Sequence, residues 1–327
     1  MYAHQVIESL NQYKPILERK RIEAYRNEIK QSQKFNLGNI SSFEHIERSM
    51  VGKIMDTAGK KMPYPRCWID YHCDRHEQER ESTNNYESQI QDKYRNEMIA
   101  SPKRGILATE ASKNFFIVTV FNGFSGSTKY SWQMSPVSAV VALNGEDMKS
   151  FCKHSPSGRR IASLFPEQTL DRLLHGNPPI IPFPVWPPGT LPGTEKGWTW
   201  EMLFRFHLEN RDEYTAMVIL MDLLSCRNIS LATNEPPVKI NRKRKTRGKC
   251  PIFTYKTLVI KPTSKKQQEQ EAQGLWNNRI HLCRGHFKEY TPEKPLFGKF
   301  TGRYWWQPSV RGKNKNGVVM KDYEVRT

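Results

Sequence analysis

A chain of 327 residues that is 37% hydrophobic, with 8 Trp, 13 Tyr and 15 Phe, can bury a sizeable core, which excludes a disordered protein. No apolar run reaches the roughly 18 residues of a membrane span, Met1-Tyr2-Ala3-His4-Gln5 lacks the pattern of a secretion signal, and none of the six cysteines forms a Cys-x-x-Cys pair. The expectation is a cytoplasmic protein with reduced thiols, no structural metal and no cofactor. The formal charge of +18 gathers at one end, where residues 236–327 hold 22 Lys and Arg against 6 Asp and Glu, leaving 29 against 27 elsewhere. That field implies a polyanionic partner, RNA or DNA. A membrane surface is excluded because no amphipathic helix accompanies the charge.

Residues 2–33 predict two helices divided at Pro15, with Val6, Ile7, Leu10, Ile22 and Ile29 in an apolar stripe. Capping-box spacing at Ser41-Ser42-Phe43-Glu44 predicts a further helix that buries Phe43, Ile46, Met50 and Ile54. A strand follows around Trp68, then a polar insertion or helix over 77–96, then strands at 105–109, 114–121, 128–134 and 137–143. Next come a helix over 160–175, a loop with seven prolines between Pro178 and Pro192, and one or two buried helices within 198–227. After Pro236-Pro237 the sequence predicts a basic segment, a strand from Ile252, a polar spacer over 264–274, a histidine-bearing strand at Ile280 and a strand over 299–306. The fold class is α+β, helices packed on mostly antiparallel sheet. Three regions are expected: helical 1–60, α+β 61–235, and a basic β-rich nucleic-acid-binding module over 236–327.

The chemistry concentrates in that module. His281, Arg284, His286 and Lys288 offer a base, an acid and cations, the needs of metal-independent RNA cleavage; the same set could equally contact phosphate without cutting it. On a regular strand Arg284, His286 and Lys288 share one face and His281 the other, unless a bulge at Gly285 turns it. Arg242, Lys243, Arg244, Lys245, Arg247, Lys249, Arg279, Lys299, Arg303 and Arg311 are candidates to neutralise phosphates. Trp305 and Trp306, adjacent on a strand, should face opposite ways, one into the core and one outward; at most one is a stacking platform, and the alternative is that both are buried at a sheet edge. His72 and His76 have helical metal-pair spacing without the glutamate of His-Glu-x-x-His, and read as a solvated turn. Asn122-Gly123-Phe124-Ser125-Gly126-Ser127 lacks the Lys-Ser/Thr of a P-loop and reads as a hairpin connection.

Pro63-Tyr64-Pro65 leading to Trp68-Ile69-Asp70, Arg104-Gly105-Ile106-Leu107, Leu223-Leu224 to Asn228, Asn241-Arg242-Lys243-Arg244 with Arg247-Gly248-Lys249-Cys250-Pro251, and His281-Leu282-Cys283-Arg284-Gly285-His286 with Trp306-Gln307-Pro308 resemble, in order, a family carried by bacteriophages, prophages and plasmids. The terminal pattern is also similar to that of anti-CRISPR proteins that lower production of an RNA-guided effector nuclease and deplete its messenger RNA. Here Cys283 stands where the family has the first of two arginines, and residues 289–298 lengthen its short turn. The resemblance implies a mobile-element origin and a compact C-terminal module matching at His281, Arg284, Gly285 and His286. The expected function is an anti-defence or regulatory protein that binds RNA, engages a host or defence-system protein, and lowers expression of a host target. A metal-independent endoribonuclease and a phage DNA-binding or replication-accessory protein are the alternatives.

Overall fold

The computed structural model describes residues 1–39, 60–72, 99–125, 132–143, 145–176, 178–260, 279–283, 286–306, 309–311 and 313–318. They hold helices α1 (Ala3–Ser9), α2 (Arg19–Gln31), α3 (Gly145–His154), α4 (Pro156–Ala162), α5 (Glu167–Leu174), α6 (Trp200–Glu209), α7 (Arg211–Ser225) and α8 (Val238–Thr246). The strands are β1 (Gln33–Asn39), β2 (Arg66–His72), β3 (Ile99–Ser112), β4 (Phe115–Ser125), β5 (Trp132–Met134), β6 (Val137–Ala142), β7 (Ile180–Pro184), β8 (Ile229–Asn234), β9 (Tyr255–Ile260), β10 (Arg279–Cys283), β11 (His286–Tyr290), β12 (Gly302–Trp306), β13 (Ser309–Arg311) and β14 (Lys313–Val318). Two compact units result, one from residues 1–41, 54–222 and 231–258, the other from 42–53, 223–230 and 259–327.

The class is α+β, as expected. A nine-stranded sheet runs β7-β6-β4-β3-β2-β1-β9-β8, with β5 beside β4. Its pairings are antiparallel from β2 through β7, while β1 lies parallel to both β2 and β9. Strand β2 is buried at every position from Cys67 to Tyr71, as a strand covered on both faces must be. On one face Val6, Leu10, Ile22 and Ile29 of the N-terminal helices pack on Trp68, Leu107, Phe121 and Tyr255. Gly105 lies under the Trp68 ring, where a Cβ would stand 2.5 Å from the indole, so only glycine admits that contact. Arg104, next along β3, projects to the other face and meets Glu213 of α7 at 3.3 Å, the side chains 6% and 4% exposed. Helix α7 therefore covers that second face, burying Met217, Val218, Leu220 and Met221. Helices α3, α5 and α6 close the far end, where Met148, Leu173 and Leu203 pack on Val137 and Ile181.

Asp70 joins the first face to the chain's N-terminal segment. Fully buried, it accepts from Trp68 Nε1 at 2.6 Å and from the Tyr2 amide at 2.5 Å. Tyr255 on β9 accepts from the Ala3 amide at 2.9 Å. Burial pushes the Asp70 carboxyl up to about 6.

Several elements differ from expectation. The helix over 160–175 is two helices broken before Pro166, which cannot donate to the preceding turn, and α3 precedes them. The proline loop contains β7, because a terminal strand tolerates residues without an N–H. Asn122 to Ser125 extend β4, Asn122 and Gly123 pairing with β5 and Phe124 and Ser125 with β3, while Gly126 and Ser127 lie outside the described residues. The strand expected from Ile252 starts at Tyr255. The basic segment forms α8. The division at Pro15 and the two helices within 198–227 are as read from sequence. The helix from Ser41, the 77–96 segment, His76 and the 264–274 spacer lie outside the described residues.

Candidate nucleic-acid interface

The candidate residues fall in two places, one in each unit. In the first unit, α8 starts after Pro237 and stops at Arg247, with Gly248 at φ +64 supplying the left-handed turn that ends it. None of its residues is buried. Two side chains hold it. Asn241 accepts from the Ile252 amide at 2.8 Å and donates to the Ile252 carbonyl at 2.9 Å. Arg244 donates to the Cys250 carbonyl at 2.7 Å and pairs with Glu8 at 2.6 Å, and Glu8 also accepts from the Cys250 amide. Burial and then the Arg244 charge push the imidazole of His4 down to about 4, which leaves it neutral at neutral pH. Arg244 is thus a structural anchor.

Lys239, Arg242, Lys243, Lys245, Arg247 and Lys249 remain exposed, and among the described residues none has an ion pair or a side-chain hydrogen bond. Lys239 and Lys243, and Arg242 and Lys245, stand at four- and three-residue spacing on the helix, where like charges cost about 0.2–0.5 kcal/mol per pair, and Arg247 and Lys249 continue the charge past its end. A polyanion laid along them relieves that repulsion.

In the second unit, β11 and β12 form an antiparallel pair with His286 opposite Trp306, Lys288 opposite Tyr304 and Tyr290 opposite Gly302. Side chains alternate across a strand, so His286, Lys288, Tyr290, Tyr304 and Trp306 share one face, on which Lys288 is exposed, His286, Tyr290 and Trp306 are half-buried, and Tyr304 is buried. Lys288 lies over the Tyr290 ring at 4.9 Å, and Tyr290 meets Tyr304 edge-on at 5.6 Å. The other face is closed. Phe287 and Trp305, each 4% exposed, stack at 4.6 Å, with the Arg303 guanidinium over Phe287. Trp305 is the inward tryptophan, as alternation predicts, while Trp306 on the opposite face is half-buried.

Strand β12 is fixed from behind: Asn228 accepts from the Trp305 amide at 3.0 Å and donates to its carbonyl at 2.7 Å, and the Arg227 amide donates to Arg303. Gly302 adopts φ +107, a backbone conformation that strains any residue with a Cβ. In the connecting loop Phe297 adopts φ +52, and Phe297 and Phe300 stand 52% and 49% exposed beside exposed Lys294 and Lys299. A non-glycine residue in the left-handed region costs of order 1 kcal/mol or more, and such strain clusters where side chains are presented for function.

The expected histidine strand is two strands. His281 lies on β10 opposite Arg311 of β13, and Arg279 lies opposite Lys313 of β14, in a three-stranded sheet distinct from the β11-β12 pair that carries His286. The two histidines are therefore not adjacent rungs of one ladder. Arg284 and Gly285 lie outside the described residues. Tyr290, Tyr304, Phe297 and Phe300 were not among the sequence candidates; the alternation His286-Lys288-Tyr290 was the available signal for the first. Among the described residues no group of three His, Cys, Asp or Glu is placed to hold a metal ion. No family model, curated protein or solved structure matches the chain.

Proposed function

We propose that the protein binds single-stranded nucleic acid, RNA in preference to DNA. The observation that carries this reading is the register of β11 and β12, which gathers exposed Lys288 with half-buried His286, Tyr290 and Trp306 on one face, Tyr304 lying buried beneath them. Aromatic rings interleaved with cations take unstacked bases and their phosphates together, and a duplex keeps its base faces hidden from such a platform. Helix α8 adds sequence-independent attraction through its exposed cations. The motif resemblance supplies the setting: a mobile-element protein that engages a messenger and lowers expression of a host target, in concert with a host or defence-system protein. In a binding role without cleavage, loss of the messenger falls to a host nuclease.

The test is titration of labelled single-stranded RNA, single-stranded DNA and duplex of one sequence, with and without chelator. The expected result is tightest binding to single-stranded RNA, steep salt dependence and an intact strand. Equal affinity for duplex, retained by Trp306→Ala, ends the platform reading. Chelator-resistant cleavage abolished by His286→Ala restores the endoribonuclease alternative.

A further inference from the structure

Helix α6 begins at Thr199, whose hydroxyl accepts from the Met202 amide at 3.4 Å. Its inward side carries Leu203, fully buried against the sheet end. Trp200, Phe204 and Leu208 repeat every four residues and so form a stripe along the helix, Trp200 and Phe204 half-buried with one edge packed on the same core and Leu208 exposed. That stripe floors a cavity of about 600 Å³ between α6 and α5, walled on the α5 side by Thr169 and Arg172 and on the α6 side by Glu201, Arg205 and Glu209. Leu208 is 52% exposed, unlike the fully buried Leu203 one turn earlier.

The walls carry opposite charge. Arg205 pairs with Glu209 at 3.3 Å, which satisfies both. Glu201 on one wall and Arg172 on the other take part in no ion pair or side-chain hydrogen bond among the described residues. A small-molecule site encloses roughly 70–90% of its ligand, and a floor as open as Leu208 does not. From Trp200 to Leu208 the stripe runs about 12 Å, two helical turns. An apolar floor of that length between charged walls matches the anatomy of a helix-binding groove, with tryptophan among the residue types that anchor such contacts.

We infer that this groove docks an amphipathic helix of a partner protein, its apolar face on Trp200, Phe204 and Leu208, a carboxylate on the flank against Arg172 and a cation on the flank against Glu201. The two unlike walls fix the direction in which the helix lies. The groove belongs to the first unit and is independent of the nucleic-acid reading.

The probe is a labelled synthetic helix of about 14 residues, with leucines at i, i+3, i+4 and i+7, glutamates on one flank and lysines on the other. A control peptide carries glutamate on both flanks. Titrated with the full chain, the mixed-flank peptide should bind at least about tenfold more tightly than the control. Leu208→Glu changes an exposed position, leaves the fold intact, and should weaken the mixed-flank peptide about tenfold or more. Glu201→Arg makes both walls cationic and should transfer the preference to the all-glutamate peptide. Equal binding of the two peptides, or wild-type binding by Leu208→Glu, overturns the inference. Self-association of the full chain that Leu208→Glu abolishes also overturns it, by making a second copy the occupant.

Discussion

Helix α8 and the β11-β12 hairpin are both rich in cations, yet they are built in opposite ways. The helix buries nothing and hangs on Asn241 and Arg244, so its other cations are free to serve any polyanion. The hairpin buries Phe287 and Trp305 on one face and thereby fixes the geometry of His286, Lys288, Tyr290 and Trp306 on the other. Charge alone acts at range and is blunted by salt, whereas stacking acts at contact and is not. The difference predicts a division of labour: α8 sets the salt dependence and the hairpin sets the preference for unpaired bases.

The largest effect should come from replacing Arg242, Lys243, Lys245, Arg247 and Lys249 together by alanine. If each meets a phosphate, the log-log salt slope on single strands flattens by up to about 3.5, and low-salt affinity falls by about two orders of magnitude or more. An unchanged slope, measured by anisotropy across a salt series, moves the electrostatic contacts away from α8.

Trp306→Ala should act the other way, lowering affinity by roughly 5- to 100-fold, the worth of one stacked base, with no change of slope. A flattened slope in this variant would dissolve the distinction between the two regions.

A third prediction concerns the stability of the first unit. Asp70 holds its proton up to about 6 in the folded chain, above its ordinary value of 3.8, so its contribution declines as pH rises between these values. His4, pushed from 6.5 down to about 4, does the reverse, its contribution declining as pH falls through the same window. The two largely offset, and urea unfolding of the wild type should vary little between pH 4 and 6 on their account. Asp70→Asn leaves the His4 slope exposed, so the variant should gain stability with rising pH relative to wild type by about 3 kcal/mol in order of magnitude. A difference independent of pH refutes the assignment.

Smallest is Arg244→Ala, which removes the links to Glu8 and Cys250. Because the pair is partly exposed, a loss of about 1 kcal/mol is expected, with a decrease in slope below about 1. A stability loss as large as that of a buried ion pair would mean that α8 is integral to the first unit's core.

What the sequence made legible follows from which forces decide each element. Alternation across a strand placed Trp305 inward and Trp306 opposite, and apolar periodicity found α2 and α7, because burial governs those residues. Periodicity was blind to α8, which has no buried stripe; its signs were the prolines before Val238 and the glycine after Arg247. Tyr304 joined the site through the hairpin register, which the 291–301 loop determines and no local pattern encodes. The single histidine strand became two because pairing partners from distant sequence, β13 and β14 for one and β12 for the other, decide where a strand ends.

Strand β7 has a consequence for how copies of the chain meet. The Val185 amide, like the odd-numbered positions before it, turns toward β6 and its neighbours, donating to Pro136. The even positions facing away from the sheet are Ile180, Pro182 and Pro184, and neither proline has an N–H. This rim of the nine-stranded sheet offers a passing strand a single donor, at Ile180, so it is a poor template for an intermolecular ladder. At that end of the sheet, strand-to-strand association between copies of the chain is disfavoured.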